Sequence, residues 1–314
     1  MKSFIITIDT EGDNLWAYHK GDQVKTENAN YIPRFQDLCN KYGFKPVWLT
    51  NYEMIMSDVY VDYIKKPLAE SQCEVGIHLH AWNNPPLYDL KGKYKGNPYL
   101  IEYPGDVMYA KFKTTYDLIY ERLGVKVKSH RSGRWAMNDR YFKLLEDFEI
   151  TCDCSYTPGV SWAKAEGETV LSGSDYSKVP KNEHMIGNIL EVPATVRQYN
   201  HYLSSGSLKH RLRAFVKGGH IWFRPALSSL QDMKKLMLDV DAEPNNNYLE
   251  FMIHSSELMP GGSPYFNDSN AIDKMYDTMD ELFAFARKLG YEGETLESYT
   301  KQFLKKMIWQ KRKY

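Results

Sequence analysis

Phe4-Ile5-Ile6-Thr7-Ile8-Asp9-Thr10-Glu11-Gly12-Asp13 decides how this chain folds. It is a short β-branched apolar run that ends in acids and a glycine. Such a run reads as a strand buried on both faces, and doubly buried strands belong to parallel sheets. Similar runs recur at 44–50, 73–80, 125–131, 150–155, 189–195 and 248–254. Between them, apolar residues recur at helical spacing, which predicts helices over 31–41, 58–70, 107–123, 139–147, 227–239 and 271–289. Gly124 and Gly290 are suited to stop two of these, and Asn138-Asp139 to cap another. Alternation of strand and helix along the whole length predicts a parallel α/β sheet. Seven such strands without a dinucleotide-binding glycine fingerprint favour a closed or nearly closed barrel. Segments 83–106 and 156–187 are rich in Pro, Gly, Asn and Tyr and lack a period, so they are expected to be long loops over one mouth. No linker interrupts the chain, and one domain over 1–314 is expected.

Composition narrows the function. Lys+Arg 40 and Asp+Glu 40 cancel, which argues against a general nucleic-acid binder. An apolar share of 43% with 25% charged residues is that of a folded globular protein. No apolar run is long enough to cross a bilayer, and the opening run is too short for a secretory signal; a cytoplasmic location is expected. Cys39, Cys73, Cys152 and Cys154 have no zinc-ribbon spacing and are expected to stay reduced. The 24 Tyr and 7 Trp suit sugar-facing surfaces and cores alike.

Four strand ends carry polar groups that a packed core does not need. Side chains alternate along a strand, so Asp9 and Glu11 share a face, and two carboxylates on one face call for a cation or a proton between them. In Glu74-Val75-Gly76-Ile77-His78-Leu79-His80-Ala81-Trp82, His78 and His80 likewise share a face and can reach one cation as neutral ligands. His130-Arg131-Ser132-Gly133-Arg134-Trp135 places an arginine at the end of an apolar strand, where it needs an acid; Asp9 is the natural partner. His254 closes the apolar strand Leu249-Glu250-Phe251-Met252-Ile253. In a parallel barrel all these strand ends open on one face. Two histidines, a ligand carboxylate, a spare carboxylate base and a third histidine form a metal-hydrolase set.

The order of these motifs resembles the NodB-type polysaccharide deacetylases, carbohydrate esterase family 4, over residues 4–260 or so. It looks closest to the cytoplasmic, surface-glycan-associated branch, with Gly-x-His-Leu-His-x-Trp and Arg-x-Gly-Arg-Trp motifs. Two departures stand out. Thr10 separates Asp9 from Glu11, where the family has adjacent aspartates. Trp82 stands where the family has its second histidine, with His80 two residues after His78 instead.

The resemblance implies a distorted (β/α)7 barrel and removal of an N-acetyl group from an amino sugar in a glycan or glycan precursor. A divalent metal, zinc by preference, would be held by Glu11, His78 and His80, with Asp13 as the alternative acid. Asp9 would be the base, Arg131 its orienting partner and His254 the acid. Trp82, Arg134, Trp135 and Trp162 are the candidate substrate-binding residues. Two other functions stay open: a metal-dependent amidohydrolase on a small non-glycan substrate, and a sugar-binding protein whose catalytic site has decayed.

Overall fold

The computed structural model describes residues 2–200, 219–244 and 246–311. Its elements in chain order are β1 (Lys2–Thr10), α1 (Ile32–Lys41), β2 (Pro46–Thr50), α2 (Tyr52–Met56), α3 (Asp58–Ala69), β3 (Glu74–Leu79), α4 (Gly105–Leu123), β4 (Ser129–Ser132), α5 (Asp139–Asp147) and β5 (Cys152–Asp153). There follow β6 (His184–Ile186), β7 (Ile189–Glu191), β8 (Val196–Tyr199), β9 (Gly219–Trp222), α6 (Leu230–Asp241), β10 (Tyr248–His254), α7 (Ser269–Lys288), β11 (Tyr291–Glu294) and α8 (Leu296–Lys311).

Each of the seven expected strands has its counterpart in one curled sheet of order β10-β1-β2-β3-β4-β5-β7, all parallel. β6 adds an antiparallel edge to β7, and β11 pairs with the start of β1. The curl is a half-barrel, and its seam lies between β7 and β10. There the antiparallel β8–β9 pair is stitched in by single bonds: Phe223 N to Thr195 O at 3.1 Å, and Met252 N to Phe223 O at 3.2 Å. Glu250 N donates to Thr195 Oγ1 at 2.9 Å in the same seam.

Register explains where the polar groups go. Ile5, Thr7 and Asp9 lie beside Glu250, Met252 and His254. With a period of two, that set faces the barrel interior, while Phe4, Ile6 and Ile8 face the helices with Leu249, Phe251 and Ile253. The outer face packs on the amphipathic helices in the larger core; Phe4, Phe44, Phe251 and Phe283 are its centre, with ring centroids 4.5–6.5 Å apart. The lower interior is a small apolar cluster of Ile5, Val47, Leu49, Cys152, Cys154, Leu190 and Tyr248, closed below by Leu296 and Tyr299 of α8. Polar residues begin one layer above it, toward the strand C-termini.

Several boundaries differ from the sequence reading. Phe44 belongs to the end of α1, its N–H bonded to Cys39 O at 2.9 Å after Gly43 turns left-handed, so β2 begins only at Pro46. Residues 125–128 carry no ladder, and β4 starts at Ser129. The 83–106 and 156–187 segments are loops for most of their length, but α4 begins at Gly105 and β6 falls inside the second. Caps match the local chemistry: Asn138 Oδ1 accepts from Tyr141 N at 2.9 Å, and Gly124 ends α4 at φ 72°. The four cysteines are free and buried.

Candidate metal and catalytic site

Glu11, His78 and His80 meet at the C-terminal mouth of β1 and β3, all buried. His80 Nε2 lies 2.8 Å from Glu11 Oε2, and His78 Nε2 lies 3.4 Å from the same oxygen. The two Nε2 atoms are 3.1 Å apart. His78 Nδ1 donates to Arg131 O at 2.9 Å; a carbonyl can only accept, so neutral His78 turns a bare Nε2 lone pair toward His80 and Glu11. Tetrahedral coordination at 2.0–2.2 Å separates ligand atoms by roughly 3.3–3.6 Å. The donor set therefore fits a divalent cation in both chemistry and spacing. Gly133 allows the histidines this position, because a Cβ there would come 2.8 Å from His80 Nδ1 and 2.3 Å from Leu79 O.

The charges in this cluster support one another. Burial works against ionised Glu11, but His254, His78 and His80 outweigh it and hold the carboxyl well below its usual range. Burial also opposes a charged His78, yet Asp9 and Glu11 raise its pKa. For His80 burial prevails and its pKa is lowered.

Asp9 sits one pleat below Glu11 on the same face. Its Oδ1 accepts from Arg131 at 2.8 Å. Arg131 is wholly buried and directs its other donors to Cys154 O at 3.1 Å, Thr7 Oγ1 at 2.7 Å and Glu250 Oε1 at 2.6 Å. Thr7 in turn donates to Glu250. Burial pushes Asp9 upward, but Arg131, then His78 and His254, bring its pKa below the ordinary value. Glu250 goes the other way: burial dominates over Arg131 and raises it. Sequence reasoning missed Glu250 and Thr7, although alternation from His254 and Asp9 puts both on the interior face.

His254 is 13% exposed, with Nε2 3.6 Å from Asp9 Oδ2 and 3.8 Å from Glu11 Oε1. Arg224 donates to its Nδ1 at 2.9 Å and is itself paired with Glu257. A guanidinium only donates, so Nδ1 accepts and neutral His254 carries its hydrogen on Nε2, the nitrogen that faces the carboxylates. Burial and then Arg224 lower the His254 pKa against the pull of Glu11, Glu257 and Asp9. Arg224 and Glu257 were not singled out in the sequence; Arg224 follows β9, and nothing local marks it.

Asp9, Glu11, His78, His80, Arg224 and His254 line one side of a cleft of about 640 Å³. Trp135, Trp162 and Trp222 cluster on its wall with ring centroids 6.1–6.4 Å apart, and Trp16 lies 4.8 Å from the His254 ring. Trp82 packs 4.2 Å from His80 and 5.8 Å from Tyr18. Arg134 also lines the cleft, but its guanidinium binds Asn97 O and Glu166 O and lies 4.2 Å over Tyr99, so it ties the two long loops together. Arg134 and Trp135 both have left-handed backbones, at φ 56° and 60°. Such conformations persist only where surroundings enforce them; the Arg134 bonds and a Tyr176 hydroxyl on Trp135 O do so here. Asp13 is not part of the cluster. Its carboxylate accepts from Glu27 N at 2.9 Å and Asn28 N at 3.0 Å, capping the turn there, so Glu11 is the acid beside the histidines.

No protein-family model and no curated protein matches the chain. Solved structures do. A peptidoglycan deacetylase from Bacillus subtilis is similar at 14% identity and TM-score 0.44, over 99% of this chain and 96% of that one. A pseudoenzyme of carbohydrate esterase family 4 from Bacillus anthracis is similar at 11% identity and TM-score 0.45, over 95% and 65%. A 4-alpha-glucanotransferase from Thermococcus litoralis reaches TM-score 0.51 at 11% identity, over 96% of this chain and 38% of that one. At these identities the likeness is one of fold alone.

Proposed function

We propose that this protein is a divalent-cation-dependent hydrolase that removes the N-acetyl group from an amino sugar in a glycan or glycan precursor. One observation carries the reading: the Glu11–His78–His80 set, the Asp9–Arg131 pair and His254 Nε2 converge within 4 Å contacts at the floor of one tryptophan-walled cleft. Glu11, His78 and His80 would hold the cation, and two imidazoles with a carboxylate suit zinc. When bound, such an ion polarises an acyl oxygen and eases deprotonation of water.

The remaining roles belong to side chains. Arg131 occupies Asp9 Oδ1 and leaves Oδ2 as the basic atom, so Asp9 accepts the proton of the attacking water there. The new C–O bond forms first, its electrons displacing the carbonyl π pair onto oxygen; the C–N bond breaks as the carbonyl re-forms, and an amide nitrogen leaves only if it gains a proton. His254 delivers that proton from Nε2 as the imidazolium, the form that Glu11, Glu257 and Asp9 favour, with its Nδ1–H turned to Glu257 in place of the Arg224 bond. The proton taken by Asp9 balances the one given by His254, and the products are acetate and a free amine. Trp135 and Trp162 line the cleft wall as platforms for the sugar rings, whereas Trp82 is held between His80 and Tyr18. Four buried thiols suit a reducing compartment and favour an intracellular glycan precursor.

The test is acetate release from N-acetylated oligosaccharides by the purified protein, with and without added zinc. Zinc-dependent release supports the reading. A protein that binds the sugars and releases no acetate refutes it in favour of the sugar-binding alternative, and turnover confined to small amides refutes it in favour of the amidohydrolase.

A further inference from the structure

We propose that the outer face of α8 docks on a lipid bilayer that carries anionic headgroups. The inference is independent of what the cleft turns over.

Positive charge is gathered at this helix. Residues 298–314 include Lys301, Lys305, Lys306, Lys311, Arg312 and Lys313 and no acid, whereas residues 1–297 carry 34 basic and 40 acidic side chains. A chain that is neutral as a whole therefore has one strongly basic segment, and such segments are drawn to anionic membrane surfaces. Apolar groups stand among the amines. Leu296, Tyr299 and Phe303 turn inward onto the small interior cluster. At helical spacing Lys301, Lys305, Ile308 and Trp309 fall on the opposite side. Ile308 is 49% exposed and Trp309 59%, and Lys301, Lys305 and Lys306 are exposed beside them. An isoleucine and a tryptophan presented between lysines suit a helix that lies in the membrane interface. The apolar side chains enter the acyl boundary while the amines reach the headgroup phosphates. That combination favours a bilayer over nucleic acid, whose phosphates would need the amines alone. Among the described residues no helix is long and apolar enough to cross a membrane, so the contact is peripheral.

The barrel presents this face rigidly. α8 crosses the N-terminal ends of the strands. At its start Glu297 N donates to Glu74 Oε2 of β3 at 2.9 Å, and the Tyr299 hydroxyl donates to Glu183 Oε1 at 2.9 Å. Further on, Phe303, Lys306 and Met307 meet Ser3 of β1 and Asn247 around one small pocket. The acids by the first turn are engaged there: Glu297 pairs with Lys301 at 2.6 Å, and Glu294 accepts from Gln302 Nε2 at 2.8 Å. Asp9, His78 and His254 lie at the other ends of the same strands. Docking through α8 therefore turns the cleft away from the bilayer and leaves it open to solution.

Vesicle flotation of the full chain tests this, with phosphatidylcholine alone and with about a third phosphatidylserine. The wild type should bind the anionic vesicles at least about tenfold better than the neutral ones at about 0.1 M salt, and lose that preference at about 1 M, where charges are screened beyond about 3 Å. Lys305→Glu with Lys306→Glu, and separately Ile308→Ser with Trp309→Ser, should each weaken binding about tenfold. Both variants should keep the wild-type urea denaturation curve and acetate release from soluble oligosaccharides. No preference for anionic vesicles, or binding that survives about 1 M salt, overturns the proposal on the wild type alone. Binding that survives the lysine substitutions also overturns it. Loss in the lysine variant with full binding in the apolar one marks a contact open to any polyanion, nucleic acid included, and overturns it too. Acetate release that fails in the wild type while vesicle binding holds removes the deacetylase and leaves the docking face standing.

Discussion

Arg131→Met tests the polar layer on which the proposed site rests. In the wild type this guanidinium is wholly buried and answers Asp9, Glu250, Thr7 and the Cys154 carbonyl at once. Methionine fills most of the volume and provides no donor. Two interior carboxylates then lose the guanidinium they share, and removing one member of a buried ion pair costs about 3–5 kcal/mol. The loss depends on pH. Burial already raises Glu250, and without Arg131 its folded-state pKa rises further above the unfolded value. An acid shifted in that direction binds its proton more tightly in the folded state, so the deficit should be smallest near pH 5 and should grow as pH rises. Adding Glu250→Gln removes one of the orphaned charges and should recover about 1–3 kcal/mol of the loss, the usual coupling between groups in one network. Urea denaturation followed by tryptophan fluorescence and far-ultraviolet dichroism measures all three proteins. An Arg131→Met protein within about 1 kcal/mol of wild type, or a double variant no better than the single one, refutes this account of the layer.

Zinc should raise the melting temperature by about 5 °C at a hundredfold excess over its dissociation constant, equivalent to about 2.7 kcal/mol. A chelator should reverse the shift, and His78→Ala and His80→Ala should abolish it; a shift that survives both substitutions rules out these ligands. Asp9→Asn and His254→Ala should each lower acetate release by roughly 10²–10⁴ while leaving the dichroism spectrum intact, and full activity in either removes its role. Glu53 is raised to about 7, first by burial and then by Glu11, against hydrogen bonds from Gly12 N and Asn83. Its folded pKa exceeds the unfolded one, so its contribution is intact below about pH 4.5 and is lost as pH climbs through 7, about 3 kcal/mol in all. Glu53→Gln should therefore gain on wild type by about that amount between pH 5 and 8.5 in denaturation experiments; a pH-independent difference contradicts the assignment.

How much of this could be read from the sequence depended on how local each signal was. β1, β3 and β10 are doubly buried runs with a strict period, so their alternation placed Asp9 with Glu11 and His78 with His80 on common faces before any coordinates. Glu250 obeys the same alternation but sits amid Leu249, Phe251 and Met252, where an acid reads as a solvent-facing residue until Arg131 arrives from another strand. Arg224 could not be found that way. Its value lies in a bond to His254 and an ion pair with Glu257, both set by how the β8–β9 pair docks on β10. β11 was missed because four residues of strand give little pattern to read. In the two long loops, order comes from scattered contacts such as Glu102 Oε2 with the Thr169 hydroxyl at 2.6 Å and Tyr99 with Ala165 O at 2.8 Å, which leave no periodic trace.

β1 pairs with β2 on one side and β10 on the other, in a register that sets Asp9 beside His254. During synthesis β2 (Pro46–Thr50) emerges soon after β1, whereas β10 (Tyr248–His254) follows only much later. Until β10 is made, therefore, one flank of this very apolar strand is an open edge able to recruit foreign strands. That edge closes only when β10 docks, and the approach of Asp9 to His254 cannot form before then.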